Sequence, residues 1–250
     1  MRYKIVCKKD EKSLKVCAQL KKHLNKEESE HPDVIFSIGG DGTFLDAVRL
    51  YLDRIDEVFF VAIHTGTLGF YTQYLPNQLG DLLKDLENKQ LETYNLLELA
   101  IDDEVSYALN EVTLSAHHQL LEGDIFINNE HLMKLRANGL CISTPSGSTA
   151  YNKSLKGAVM DANVNALQLA LIAPFETTTS RMISPLVLSK EYTIVFKPIN
   201  KYLDITFDRL FISKDDIDLI QIKYSNKYVK YMVNPKNSFI KRIKEKFIGN

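Results

Sequence analysis

Val34-Ile35-Phe36-Ser37-Ile38-Gly39-Gly40-Asp41-Gly42-Thr43 opens as a β-branched apolar run and breaks into a glycine turn. Val34–Ile38 reads as a strand. From Thr43 to Leu52, Phe44, Leu45, Val48 and Leu52 recur at helical spacing, so the turn joins a strand to a helix. The pattern repeats outward. Arg2–Cys7 is a short strand, and Ser13–Leu24 sets Leu14, Cys17, Leu20 and Leu24 on one helical face, with Ser13 near its N-terminus. Val58–Ile63 is apolar without alternation, as in a strand covered on both faces. Asn77–Leu86 is a further helix. Strand and helix alternating through short links predict a parallel sheet covered by helices over residues 1–95.

Past that point the style changes. Leu91–Ile101, Val105–Ser115, Asp124–Asn128, His131–Leu135, Leu140–Ser143, Thr193–Lys197, Tyr202–Phe207 and Ile217–Tyr224 read as strands, and Asn163–Ala170 as a helix. Lys223–Tyr228 reads as a hairpin turning at Ser225–Asn226. The expected fold is an α/β N-terminal domain, 1–95, followed by a β-rich domain, 96–235. Residues 236–250 are expected to form a helix, Ser238–Phe247, that packs back on the first domain. That end carries five basic residues and one acidic one from Lys236 onward, which suits a solvated helix face better than a nucleic-acid patch.

Composition narrows the function classes. The chain has 250 residues, 31 Lys+Arg against 32 Asp+Glu, and 45% hydrophobic residues. That balance excludes a disordered chain and a nucleic-acid-binding tail. The longest dense apolar run, Val58–Ile63, is far short of the roughly 18 residues a membrane helix needs. Cys7, Cys17 and Cys141 match no disulfide or metal spacing and read as small buried hydrophobes in a reduced, cytoplasmic protein.

The glycine turn lies where open α/β sheets bind ligands, at the carboxyl end of a strand. It offers close backbone approach and a helix N-terminus to an anion. It has neither the GxGxxG spacing nor the Lys of GxxxxGK[ST]. Asp41 is the unusual member, because a carboxylate in a phosphate-binding turn repels phosphate. It fits as a metal holder, as a base taking the proton of an attacking hydroxyl, or as a cap for the helix beginning at Thr43. The next strand ends similarly, at His64-Thr65-Gly66-Thr67-Leu68-Gly69-Phe70, with His64 either catalytic or satisfied by backbone. A hydroxyl-rich turn, Thr144–Asn152, follows Leu140–Ser143, with Tyr151 available for stacking. Asn110–Glu111 is a polar pair inside an apolar β segment, and so needs partners.

Taken together, GGDGT at 39–43, HTGTLGF at 64–70, NE at 110–111, GLCISTPSGSTAYNKSL at 139–155 and SPLVL at 184–188 resemble the NAD kinases in order and spacing. GGDGT is shared with diacylglycerol-type lipid kinases; the STPSGSTAY block singles out the NAD kinases. The resemblance implies an α/β domain and a β-sandwich-like domain, α+β overall. It implies phosphorylation of the adenosine-ribose 2′-hydroxyl of NAD, with Asp41 as general base and ATP carried with Mg²⁺ near Gly39, Gly40, Gly42 and Thr43. No protein metal ligand is implied. Asn110 would hold adenine and Glu111 ribose hydroxyls. Ser146, Thr149, Ala150 and Tyr151 would line the adenine site, and Asn152, Lys153 and Ser154 would close it. Phe70, Arg136, Asn138 and Ala173 complete the implied binding set. Partners would be NAD, ATP and further copies of the chain, as a homodimer or homotetramer, with neither nucleic acid nor membrane.

The sequence departs from the family at several points. Arg136-Ala137-Asn138-Gly139-Leu140 stands where RGDGL is usual, so Asn138 replaces an Asp near the nicotinamide end and one negative charge is lost. Asp161-Ala162 stands for a frequent His-Pro, Pro174–Ile183 matches poorly, and Arg209 follows Asp208 where relatives carry His. These changes bear on substrate preference and subunit contacts. The alternatives are a diacylglycerol-type lipid kinase and a non-catalytic nucleotide-binding paralogue.

Overall fold

Strand β1 (Tyr3–Cys7) runs parallel to β2 (Val34–Gly39), and β2 parallel to β3 (Phe59–His64). The computed structural model that shows this describes residues 1–66, 69–176 and 183–249. Helix α1 (Glu11–Leu24) links the first two strands and α2 (Asp41–Leu50) the next two, with α3 (Leu79–Glu87) following. These elements fall in a compact unit, Met1–Tyr94 with Lys227–Asn250; the second unit is Asn95–Asn226. Residues 227–235, grouped by the sequence reading with the β-rich domain, lie in the first unit.

Three details of the first unit differ from expectation. Asp10, not Ser13, caps α1, accepting the Ser13 N–H at 2.8 Å. The buried row of α1 is Ser13, Val16 and Leu20, while Leu14 is 53% exposed. Apolar periodicity missed this row because one member is a serine, whose hydroxyl is satisfied at 2.7 Å by Thr65 Oγ1. Helix α2 begins at Asp41 and ends at Leu50, so Leu52 falls in a separate 3-10 turn, Leu52–Arg54. Tyr3, Val16, Leu20, Phe36, Ile38 and Ile63 pack into one core cluster. Phe44 stacks on Tyr71 at 5.0 Å between ring centroids.

The second unit is antiparallel throughout its pairings. It contains most of β4 (Leu91–Ile101), then β5 (Glu104–Ala108), β6 (Glu111–Ala116), β7 (Leu121–Ile127) and β8 (Glu130–Ser143). A 3-10 turn, Ser146–Thr149, and the short α4 (Tyr151–Ser154) precede β9 (Ala166–Pro174), β10 (Leu186–Ser189), β11 (Ile194–Pro198), β12 (Tyr202–Phe207), β13 (Leu210–Asp215) and the start of β14 (Ile220–Met232). β8 pairs with β6, β7 and β9, and β12 with β6 and β13. A mostly-β second part after an α/β first part is the architecture expected.

Four local expectations are corrected. Asn163–Ala170 is not a helix: Ala166 begins β9, and Ala166–Leu171, apolar but for the buried Gln168, carries no period to separate the two states. The hairpin at Ser225–Asn226 is absent, because β14 runs straight through it, pairing with β11 at Ile220–Ile222 and with β3 at Tyr231. Val105–Ser115 breaks at Leu109–Asn110 into β5 and β6. His131–Leu135 and Leu140–Ser143 are parts of the single strand β8.

At the C-terminus, α5 (Phe239–Ile243) is capped by Ser238 and continues as a π-turn, Lys244–Ile248. Arg242 is buried and donates to the Asn237 carbonyl at 2.7 Å, so this end is not wholly a solvated face. All three cysteines are free. Among the described residues, no helix is long and apolar enough to cross a membrane.

Candidate active site

Gly39 ends β2 where a side chain has no room: a Cβ there would lie 2.2 Å from Thr43 Oγ1. Gly40 is the N-cap of α2 and supplies no side-chain cap. Asp41 therefore opens the helix, and its carboxylate turns toward the neighbouring strand end instead of capping its own. Oδ2 accepts the Phe70 N–H at 2.8 Å and Oδ1 the Tyr71 N–H at 3.1 Å. Each oxygen keeps a lone pair for a further donor. The helix-cap reading of Asp41 is thus not what the geometry shows.

The second turn is built to hold that carboxylate. A Cβ on Gly69 would stand 2.1 Å from Asp41 Oδ1. The Gly69 N–H is taken by Thr72 Oγ1 at 3.0 Å, and the Thr65 N–H by the Gly39 carbonyl at 3.0 Å. Phe70 packs its ring against Phe247 at 5.1 Å. His64 is half of a local arrangement: its Nδ1 accepts the Gly66 N–H at 2.6 Å, and burial lowers its basicity. It is a neutral ring satisfied by backbone. Thr67 and Leu68 of this motif lie outside the described residues.

The other predicted residues are in the second unit, where Asn110 and Glu111 are clamped from two directions. The Asn110 carbonyl accepts the Thr144 N–H at 2.9 Å, and Thr144 Oγ1 donates to the Leu109 carbonyl at 2.6 Å. Ser146 Oγ also reaches the Leu109 carbonyl, at 3.3 Å. Gly147 packs so closely that a Cβ would lie 2.0 Å from the Asn110 carbonyl oxygen. From the other side comes Asp208, at the tip of the β12–β13 hairpin. Its carboxylate accepts the Leu109 and Asn110 N–H groups at 2.8 and 2.6 Å. Those two amides are withdrawn from any strand ladder, which is why β5 and β6 separate here.

Glu111 is buried and accepts the Tyr151 amide, while its Oε2 has no partner. Burial, then the charge of Asp208, push its carboxyl up to about 8. Burial raises Asp208 to about 6, against the backbone amides that favour its anion. Sequence reading missed Asp208 as a site residue; the two-residue Asp208-Arg209 turn between Phe207 and Leu210 was the available signal.

Within Thr144–Ser154 the residues divide into buried and presented. Ser148 is fully buried and fixes Met160 N through its hydroxyl at 2.8 Å. Asn152 is also buried, donating toward the Ser148 and Ala158 carbonyls at 3.4 Å with Gly157 packed on it. Thr149 Oγ1 donates to the Ser146 carbonyl at 3.2 Å. Tyr151, Lys153 and Ser154 are exposed, and Ser146, Thr149 and Ala150 half-buried.

Arg136, Asn138 and Ala173 form a separate exposed patch on the β8–β9 pair. Arg136 donates to Glu122 at 2.8 Å and lies over the Phe175 ring at 5.4 Å. Asn138 lies five strand residues from Ser143, the partner of Glu111, which is about 16 Å of extended chain. One chain does not bring this patch to Glu111. Residues 177–182 of the poorly matched stretch lie outside the described residues.

Residues 2–91 match the ATP-NAD kinase N-terminal domain, and residues 102–227 the ATP-NAD kinase C-terminal domain. Over its full length the chain is 38% identical to a Staphylococcus epidermidis NAD kinase, covering 98% of that relative. It is 36% identical to a Bacillus cereus NAD kinase 1, with both chains covered whole. The crystal structure of an NAD kinase from Archaeoglobus fulgidus in complex with ATP aligns with a TM-score of 0.82 at 25% identity, covering 100% of this chain and 98% of that one. Yeast NADH kinase complexed with NADH shares the fold, with a TM-score of 0.83 at 19% identity over 98% of this chain and 86% of that one. With both halves of its length so accounted for, the chain belongs to the ATP-NAD kinase family.

Proposed function

We propose that this ATP-dependent NAD kinase transfers the terminal phosphate of ATP to the adenosine-ribose 2′-hydroxyl of NAD with Asp41 as its general base. The observation that carries this is the clamp on Asp41: two N–H groups orient the carboxylate, and among the described residues each oxygen has a lone pair left over. A sugar hydroxyl is a poor nucleophile at neutral pH. Asp41 takes its proton as the oxygen attacks the terminal phosphorus, and ADP departs. A positioned carboxylate contributes about 10²–10⁴-fold this way, with alignment supplying much of the rest. The glycine turn Gly39–Gly40 lets phosphate oxygens come close to the N-terminal end of α2.

Mg²⁺ would arrive on the oxygens of ATP, where it commonly binds with few protein ligands. When bound it neutralises charge on the phosphates.

Asn110 and Glu111 take the nucleoside, Glu111 accepting ribose hydroxyls. Tyr151 gives an exposed ring for adenine, with Ser146, Thr149 and Ala150 beside it. Asn152 acts by holding the turn. Arg136, Asn138 and Ala173 serve the site of a second copy in a homodimer or homotetramer. Phe70 supports Asp41 through its amide; Lys153 and Ser154 border the pocket. We place the protein in the cytoplasm, where its three free thiols stay reduced. The test is a coupled assay with NAD, ATP and Mg²⁺, reading NADP through an NADP-specific dehydrogenase. NADP should accumulate; a folded sample giving none above blank defeats the proposal.

A further inference from the structure

Glu111 is buried and the neighbouring Asp208 half-buried, and the surroundings treat their carboxyl groups unequally. Asp208 sits at a left-handed φ of 51°. Its carboxylate collects the Leu109 and Asn110 N–H groups at 2.8 and 2.6 Å, and its own N–H returns to the Glu111 carbonyl at 3.1 Å. Several backbone donors are what a buried carboxylate needs to stay ionised. Glu111 has only the Tyr151 amide, and its buried Oε2 has no partner at all. Carboxyl groups that feel each other's charge share their titration, and the proton settles on the one with fewer donors. The other titratable group facing Glu111 is the Cys141 thiol of β8, which burial holds far above its ordinary range, so it stays neutral. From the 144–154 segment Glu111 meets the Tyr151 amide.

We propose that Asp208 is a positioning residue for the nucleoside subsite: it fixes the 109–111 backbone and adds its charge to the burial that keeps Glu111 protonated until a ribose diol enters, so that binding there releases a proton. This rests on the reading of Glu111 as a ribose contact. The chemistry follows from donor counting. A vicinal diol brings two O–H donors, and a carboxylate accepts both, one on each oxygen. The protonated acid has one oxygen occupied by its own hydrogen. The diol therefore takes the proton's place at the orphaned Oε2, and the displaced proton goes to solvent. Asp208 does not touch the ligand; it acts through the charge and geometry of its neighbour. With Glu111 titrating near 8, NAD binding tightens several-fold from pH 7 to 8.5 and then levels, since the binding form is the anion.

The test is calorimetric titration of the full-length protein with NAD at pH 7, in two buffers of different ionisation enthalpy, which counts protons exchanged on binding. Wild type should release close to one proton. Glu111→Gln should release none and bind NAD about tenfold or more weakly. Asp208→Asn, which removes the neighbouring charge but leaves the burial, should release measurably less proton than wild type and shift the pH profile of NAD affinity to lower pH. A merely structural role for Asp208 would move affinity without moving the proton count. If Glu111→Gln binds as tightly as wild type, the ribose reading of Glu111 fails. If it binds weakly while wild type releases no proton, or Asp208→Asn releases as many as wild type, the proposal is overturned. Should Asp208→Asn not fold, the pair of wild type and Glu111→Gln still decides it: release that persists in Glu111→Gln refutes the assignment.

Discussion

Replacing Gly69 by alanine tests how Asp41 is held without touching Asp41 itself. The added methyl would stand 2.1 Å from Oδ1, 2.7 Å from Cγ and 2.9 Å from Oδ2 of Asp41. Non-bonded atoms prefer about 3.5 Å, so the carboxyl group must retreat by roughly 1 Å. The N–H anchors from Phe70 and Tyr71, now at 2.8 and 3.1 Å, would lengthen past hydrogen-bond range. The backbone at Gly69 is not left-handed, so the methyl acts by steric contact alone. Its neighbour is a side-chain end that can swing toward solvent, so the stability cost is about 1–3 kcal/mol, chiefly the two bonds to a charged acceptor. A 1 Å misplacement of a reacting group costs about 10²-fold. Gly69→Ala should therefore lower kcat about 10²-fold while the KM for NAD changes less than about threefold. The coupled NADP assay, alongside a thermal melt, measures both. A folded variant with kcat within about threefold of wild type would refute the idea that this turn sets the position of the base.

Two further predictions concern the second unit. Gly147→Ala would press a methyl to 2.0 Å from the Asn110 carbonyl oxygen, against backbone that cannot swing away, so it should destabilise by about 1–3 kcal/mol and raise the KM for NAD; unchanged melting and KM would show that the contact is slack. Asn138→Asp restores a negative charge on the exposed face of β8 and should raise the preference for NAD over NADH about two- to fivefold in kcat/KM, the range of a solvated charge contact; an unaltered ratio would detach Asn138 from the nicotinamide end.

The parts of the fold that were legible in sequence are those where one physical signal dominated. Val34–Ile38 and Phe59–Ile63 are continuous apolar runs ending in glycine turns, and a strand buried on both faces has no other way to look. Asp41 stood out because its charge contradicts its setting. The misreadings arose where local pattern was silent about partners. Ala166–Leu171 is apolar but for Gln168 and shows neither period, so its pairing with β8 is what makes it a strand. Ser225–Asn226 has turn composition, yet the flanking residues pair with different strands and keep the chain extended. Asp208 lies 97 residues beyond Glu111, and nothing local links an aspartate in a hairpin tip to two distant amides. The departure at Asn138 was legible as a substitution; its distance along β8 from the Asn110–Glu111 pair was not.

The central claim is that the carboxylate of Asp41 removes the proton from the attacking hydroxyl, and Asp41→Asn tests it most directly. The amide keeps the size of the side chain and an acceptor for the 70–71 turn, while removing the base. Single-turnover formation of NADP, with NAD affinity measured separately on the same sample, separates chemistry from binding. The account predicts at least about a 10²-fold fall in the chemical step with NAD affinity within a few-fold of wild type. A variant that phosphorylates NAD at near the wild-type rate, or that loses NAD binding in proportion to its rate, would contradict it.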